Sequence, residues 1–185
     1  MTYFTNSDLD VFGLSIDELQ SELAAQAVIF AAGGKIVGRI RLQKIIFLID
    51  QLGFGSGFVY SYHHYGPYSE DLARAIDSAK IFRIIHETRE HRASDGAAYS
   101  VFSANSAMDS QYLERIRNSD RIVGGLSVLN GHNSTVLELA ATIYWIKNIE
   151  HNILWKNEVF SRKGPKTENG RFEKAERLLV ELGMI

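Results

Sequence analysis

The chain has 185 residues, 45% of them hydrophobic, a formal net charge of −2 and no cysteine. That length fits one domain, or one domain with a helical extension, with enough apolar residues for a real core. The missing cysteines exclude disulfides, thiolate zinc sites, iron–sulfur clusters and cysteine nucleophiles, and the near-neutral charge removes a global basic pull on phosphates while leaving room for a local patch.

The N-terminus MTYFTNSDLD lacks a basic segment followed by an apolar run, so it does not read as a secretory signal. Apolar stretches fall short of the roughly 20 residues of a membrane span, which predicts a soluble cytoplasmic protein that does not enter a membrane. Residues 1–34 carry five acidic and no basic side chains, and residues 1–14 read as an N-terminal arm. This acidic lead-in either folds over a basic face or is simply solvated.

Residues 17–32 predict a helix, with Ser15 as N-cap, Glu18 completing a capping box and Gly33-Gly34 ending it. A short link, KIVGR, precedes the strongest helical pattern, 40-IRLQKIIFLIDQL-52. There Leu42, Ile45, Ile46, Ile49 and Leu52 share a face, and Leu48 widens it. A helix so apolar packs between other elements, while Phe47 falls among Arg39, Gln43, Lys44, Asp50 and Gln51, on the side expected to be wet unless the tyrosines of the following strand pack over it.

Residues 58–65 alternate as one strand, and Gly66-Pro67 is expected to break it. Ser69 is a good N-cap for the next helix, whose Glu70 and Asp71 suit the positive end of the dipole. Leu72, Ala75, Ile76 and Ala79 give that helix a narrow face for close packing. Segments 82–91 and 97–103 read as a hairpin around RASDG, because Asp95-Gly96 is a strong turn signal. Helical periodicity follows near 109–129, 134–149, 152–162 and 168–182, the last starting at Thr167 or Glu168.

The resulting class is mainly α (α+β). Helices followed by a two-stranded wing suggest a winged-helix-like core over 15–104, with an inserted strand and a β-hairpin wing, and a C-terminal helical extension over 105–185.

Chemical motifs are weak. His63 and His64 are neighbours on a predicted strand, point to opposite faces and cannot chelate one ion. HETREH at 86–91 has its histidines five apart on a predicted strand, whereas a zincin needs them four apart on a helix. No G-x-S-x-G elbow or phosphate loop is present, so neither an enzyme, a metal nor a cofactor is expected. Two basic groups are candidates for nucleic acid: Arg39, Arg41 and Lys44 on one helix, and Arg83, Arg89 and Arg92 on the wing. Against them, the would-be reading helix opens with two carboxylates. RKGPKTENGR at 162–171 is a solvated loop or a secondary phosphate or partner contact.

The segments 39-RIRLQKIIFLIDQLG-53, 60-YSYHHYGPYSEDLARAID-77, 137-LELAATIYWI-146 and 174-KAERLLVELGMI-185 resemble the small bacterial and archaeal YwgA-related proteins. These in turn are similar to SocA-like, or Panacea, antitoxin domains, marked by a KLQKLLY helix, an extended segment and a Gly-Pro turn. The resemblance implies a non-enzymatic module that binds a protein partner, a toxin or defence protein, without a cofactor. The partner-binding candidates are Phe47, His64, Tyr65, Tyr68 and the helix opened by Ser69, since tyrosines are frequent interface anchors. A homodimer and a DNA-binding regulator remain open alternatives.

Overall fold

A computed structural model describes residues 15–104, 106 and 109–185; the predicted acidic arm at 1–14 lies outside the described residues. The Ser15 amide donates to Glu18 Oε2 at 2.7 Å, and the box caps a 3-10 turn, Ile16–Leu19, before helix α1, Gln20–Ala31. Gly33 and Gly34 end α1 with φ of +95° and +79°, a conformation glycine adopts without a Cβ clash. The link then forms a strand too short to be read from sequence, β1, Lys35–Val37.

Helix α2, Arg39–Gln51, is buried from Leu42 through Ile49. The expected wet side is therefore covered: Phe47 is fully buried, its ring 5.0 Å from Tyr60 and 6.1 Å from both Tyr144 and Trp145. What covers it is the segment after α2. Instead of one strand over 58–65, the chain loops and then forms a hairpin of β2, Ser61–His63, and β3, Gly66–Tyr68. The turn is His64-Tyr65, so Gly66-Pro67 lies inside β3. A two-stranded ribbon has only edges, which is where proline is tolerated. Gly66 sits at φ +82°, and a Cβ there would lie 2.7 Å from Thr142 Oγ1.

Ser69 caps α3, Glu70–Ile81, by accepting from the Leu72 amide at 3.1 Å. Leu72, Ala75, Ile76 and Ala79 are its buried face, as their spacing predicts, and α3 packs on α1. β4, His86–His91, and β5, Ala98–Ser103, form the expected hairpin. β5 is the middle of a three-stranded antiparallel sheet ordered β1-β5-β4.

The predicted helix near 109–129 is two helices, α4, Gln111–Arg117, and α5, Asp120–Asn130, because Ser119 caps a new start by accepting from the Ile122 amide. α6, Ser134–Tyr144, runs on into a π-helical turn, Trp145–Ile149. α7 spans Trp155–Lys163, a 3-10 turn holds Gly164–Thr167, and α8 spans Arg171–Glu181. The 3-10 turn around Pro165 delays α8 past the expected Thr167 or Glu168. α6 packs against both α2 and α8, and one apolar cluster runs from Leu19 to Leu182. Among the described residues no helix is long and apolar enough to cross a membrane.

Two glycines separate fit from propensity. Gly66→Ala forces a methyl against Thr142 at a left-handed backbone position, so thermal or urea unfolding should show a loss of about 2 kcal/mol or more. Gly124→Ala, on an open position of α5 with nothing within 4 Å, should stabilise by about 0.5–1 kcal/mol.

Candidate interaction site at the hairpin cleft

Gln43 and Lys44 are polar residues buried on α2, at 6% and 1% exposure. A buried polar group needs a partner, and here the partners are backbone groups of the YGPYS segment. Gln43 Nε2 donates to the Ser69 carbonyl at 2.9 Å, and Gln43 Oε1 accepts from the Ser69 amide at 3.0 Å. Lys44 Nζ donates to the Pro67 carbonyl. The LQK and YGPYS motifs are thus two halves of one joint. This corrects the expectation that Lys44 meets phosphate. Helical spacing placed it opposite the apolar stripe, but the hairpin folds over that face.

The far side of the hairpin is held by the C-terminal helices. Lys163 Nζ donates to the His64 carbonyl at 2.9 Å and to Glu138 Oε1 at 2.9 Å. The Lys163 and Glu138 side chains are almost fully buried, and Lys166 also reaches Glu138, at 2.8 and 2.9 Å. Burial lowers the Lys163 ammonium from its ordinary range, with the Glu138 carboxylate opposing that shift. Burial likewise holds the Lys44 ammonium down to about 8. The basic loop at 162–171 is largely exposed, and its arginines are engaged within the chain: Arg162 pairs with Glu150 and Glu158, and Arg171 donates to the carbonyls of Glu168 and Pro165. Sequence reading missed Glu138. Its signal was a lone carboxylate within the apolar run LELAATIY.

Between the start of α2, the hairpin and α3 lies a cavity of about 110 Å³, lined by Arg39, Ile40, Leu42, Gln43, Lys44, Tyr65, Tyr68, Leu72, Ala73, Ile76 and Phe102. Tyr65 is 47% exposed, with Lys166 Nζ 4.8 Å from its ring centre and the His64 ring edge-on at 4.9 Å. Tyr68 is half-buried, beside His63 at 5.1 Å. His63 and His64 are both exposed, although strand alternation predicts one facing inward. Of the partner-binding candidates, Tyr65 and Tyr68 line the cavity and His64 flanks it. Phe47 and Ser69 do not belong to an open surface: the first is core, the second a fully buried cap.

The basic candidates do not form one phosphate-facing group. Arg39 Nη2 pairs with Glu87 at 3.0 Å and Asp77 at 3.8 Å, and Lys80 meets the same two carboxylates at 2.7 Å. Partial burial alone would raise Glu87, but the bonds from Lys80 and Ser100 and the charge of Arg39 outweigh it and hold the carboxyl at about 2. Arg41 donates to the carbonyls of Asn130 and His132 at the end of α5. Arg83, in the turn before β4, and Arg89, on β4, are exposed, and Arg92 pairs with Asp95 at 3.1 Å. HETREH is strand β4, and no group of three metal-ligating side chains is present among the described residues.

No family model matches the chain. The chain is similar to the uncharacterized protein YwgA of Bacillus subtilis strain 168. The two are 28% identical over 159 residues, covering 85% of this chain and 93% of that protein. That near-complete coverage supports the YwgA-like resemblance read from the LQK and YGPYS segments.

The Lys44 joint has a pH signature. Its proton is held less tightly in the folded state, about 8, than in the unfolded chain, near 10.5. Between those values the unfolded chain binds more protons, so stability rises with pH. Compared with Lys44→Met in parallel urea titrations, the wild type should gain on the order of 3 kcal/mol between pH 8 and 10.5 and show no change in the gap below pH 7.

Proposed function

We propose that the chain is a non-enzymatic protein-interaction module, antitoxin-like or phage-defence-associated, whose hairpin cleft receives a side chain of a protein partner. The observation that carries this reading is the apolar cavity of about 110 Å³ with Tyr65 and Tyr68 at its wall. Small-molecule and cofactor pockets run to roughly 300–1,000 Å³, while about 150 Å³ suffices for a benzene-sized group. At about 110 Å³ the cleft is smaller than either, and its size suits the end of one aliphatic side chain. Tyrosine gives large contact area at little entropic cost, and an exposed Tyr65 beside a half-buried Tyr68 at a small apolar socket matches the makeup of interface hot spots. The resemblance to SocA-like antitoxin domains points the same way.

The test is co-purification of the tagged chain with its partner from native cytosol at physiological salt. Tyr65→Ala combined with Tyr68→Ala should lose the stoichiometric partner while shifting the unfolding midpoint little, since Tyr65 stands 47% exposed. A double variant that keeps the partner, or that unfolds, rejects this site.

A second reading, a winged-helix DNA-binding regulator, has one specific support. The order α1, β1, α2, α3, β4, β5 with sheet order β1-β5-β4 resembles that of a winged helix, with the β2–β3 hairpin inserted between α2 and α3. Its exposed cations are Arg83 and Arg89, beside Arg92. Against it, α3 presents Glu70, Asp71 and Asp77 where phosphate would approach. If DNA is bound, charge reversal at Arg89 and Arg92 should weaken binding and flatten its salt dependence, with the log–log slope falling by roughly 0.9 for each phosphate no longer neutralised. Unchanged binding removes the wing from any DNA-binding account.

A further inference from the structure

The chain carries an aliphatic knob and an apolar socket on different elements. The knob is the loop between the π-helical turn and α7, where Ile153 is 93% exposed and Leu154 67%. Single exposed apolar side chains are ordinary, but these two adjoin on a loop that is firmly built. The Asn152 amide donates to the Ile146 carbonyl at 3.0 Å, and Asn152 Oδ1 and the Asn152 carbonyl accept from the Leu154 and Trp155 amides at 2.8 and 3.2 Å. His151 is held at φ +53°, a left-handed conformation that a residue with a Cβ keeps only where its surroundings enforce it. The acidic neighbours are taken: Glu150 and Glu158 by Arg162, and Glu176 by Lys156. Lys147 lies 5.2 Å from the Trp155 ring centre and has no ion pair among the described residues. The socket is the cleft of about 110 Å³ walled by Leu42, Leu72 and Ile76, which reaches the surface at Ile40, Ala73 and Tyr65. Glu70 stands exposed beside it. Burial first, and then the Glu70 charge, raise the Tyr68 hydroxyl above its ordinary range, so this carboxylate lies close to the cavity wall. It too has no ion pair among the described residues, whereas Asp71 pairs with Arg74.

We propose that a second copy of this chain occupies the cleft, one aliphatic side chain of its Ile153-Leu154 loop filling the socket and its Lys147 meeting Glu70 at the rim. This inference rests on reading the cleft as a socket for a protein side chain, and it makes self-association and capture of another protein exclusive of each other. Size favours this occupant: the cavity is below that of a benzene-sized group, and the branched end of Ile153 or Leu154 has fewer carbons than benzene. Charge favours it as well, since each surface has an uncommitted charge and the two are opposite. The fixed loop loses little freedom on docking. Knob and socket are different surfaces, so each chain gives one contact and receives another. One loop in one small socket buries less than the roughly 1,000 Å² of a stable complex, so the association is weak and depends on concentration.

The test is sedimentation velocity of the full chain from roughly 10 µM to 1 mM, the range of a weak contact. The wild type should sediment faster as its concentration rises. Ile153→Asp, at a position open to solvent, and Ala73→Phe, which fills the socket from the partly exposed side of α3, should each weaken self-association at least roughly tenfold. Mixed in equal amounts they should associate again and stop at a pair, because one protein keeps an intact socket and the other an intact knob. A charge swap repeats the experiment without touching the cavity. Glu70→Lys and Lys147→Glu should each weaken association roughly two- to fivefold alone, and an equimolar mixture should restore it. If Ala73→Phe unfolds, the charge swap decides. A wild type that stays monomeric throughout that range, or mixtures no more associated than the single variants, would overturn the inference. So would Ile153→Asp protein that associates as the wild type does. If the wild type stays monomeric while the Tyr65 and Tyr68 double variant loses its partner, the second-copy inference fails and the interaction module survives. If that variant keeps its partner, the underlying reading fails as well.

Discussion

Gln43 and the backbone of Ser69 exchange two hydrogen bonds, and the cleft depends on that exchange. It fixes where the hairpin ends, and so where Ser69 stands to cap α3. The neighbouring bond from Lys44 to Pro67 pins the strand one step earlier. Each bond contributes only about 1 kcal/mol net. Losing a partner in this buried setting costs more, because the orphaned backbone group has no water to turn to. A glutamine amide matches a peptide group donor for acceptor, which no shorter or charged side chain does at that distance.

Electrostatics then divides the molecule into two kinds of cation. Arg39 and Lys80 stand near the surface and share Glu87 and Asp77, binding the start of α2, the end of α3 and the start of β4 into one network. Lys44 and Lys163 are interior, and each turns an ammonium toward a backbone carbonyl of the hairpin. Interior ammoniums are poor stabilisers, since desolvation consumes much of what pairing returns. Their use here is directional: a carbonyl held by a cation has a fixed position, and two of them bracket the turn that carries Tyr65.

Most helices and the β4–β5 hairpin were legible because their signals are local. Apolar spacing, Ser69 as a cap and Asp95-Gly96 as a turn need no knowledge of the rest of the chain. The errors cluster on α2. Phe47 and Lys44 lie beside Gln43 and Asp50, and a polar neighbourhood on a helix normally faces water. Here those polar residues face backbone and hairpin instead: Asp50 accepts from the Ser56 amide and the Tyr60 hydroxyl. Periodicity reports which residues share a face, but not what covers the face. The cleft was half legible for the same reason. Tyr65 and Tyr68 could be picked from composition, while Leu72, Ile76 and Phe102 join them only through folding. β1, three residues long, carries no alternation to detect.

The Lys163 bond to His64 joins residues 99 apart in sequence. Contacts of such separation form late, after the intervening loop has closed. On a ribosome they also wait for the chain: α1 to β5 can emerge while the hairpin turn still lacks its second clamp. The cleft is therefore completed by the last quarter of the polypeptide. A product that stops short of Lys163 would carry both motifs of the joint and every residue of the socket's wall, but not the cation that fixes its rim.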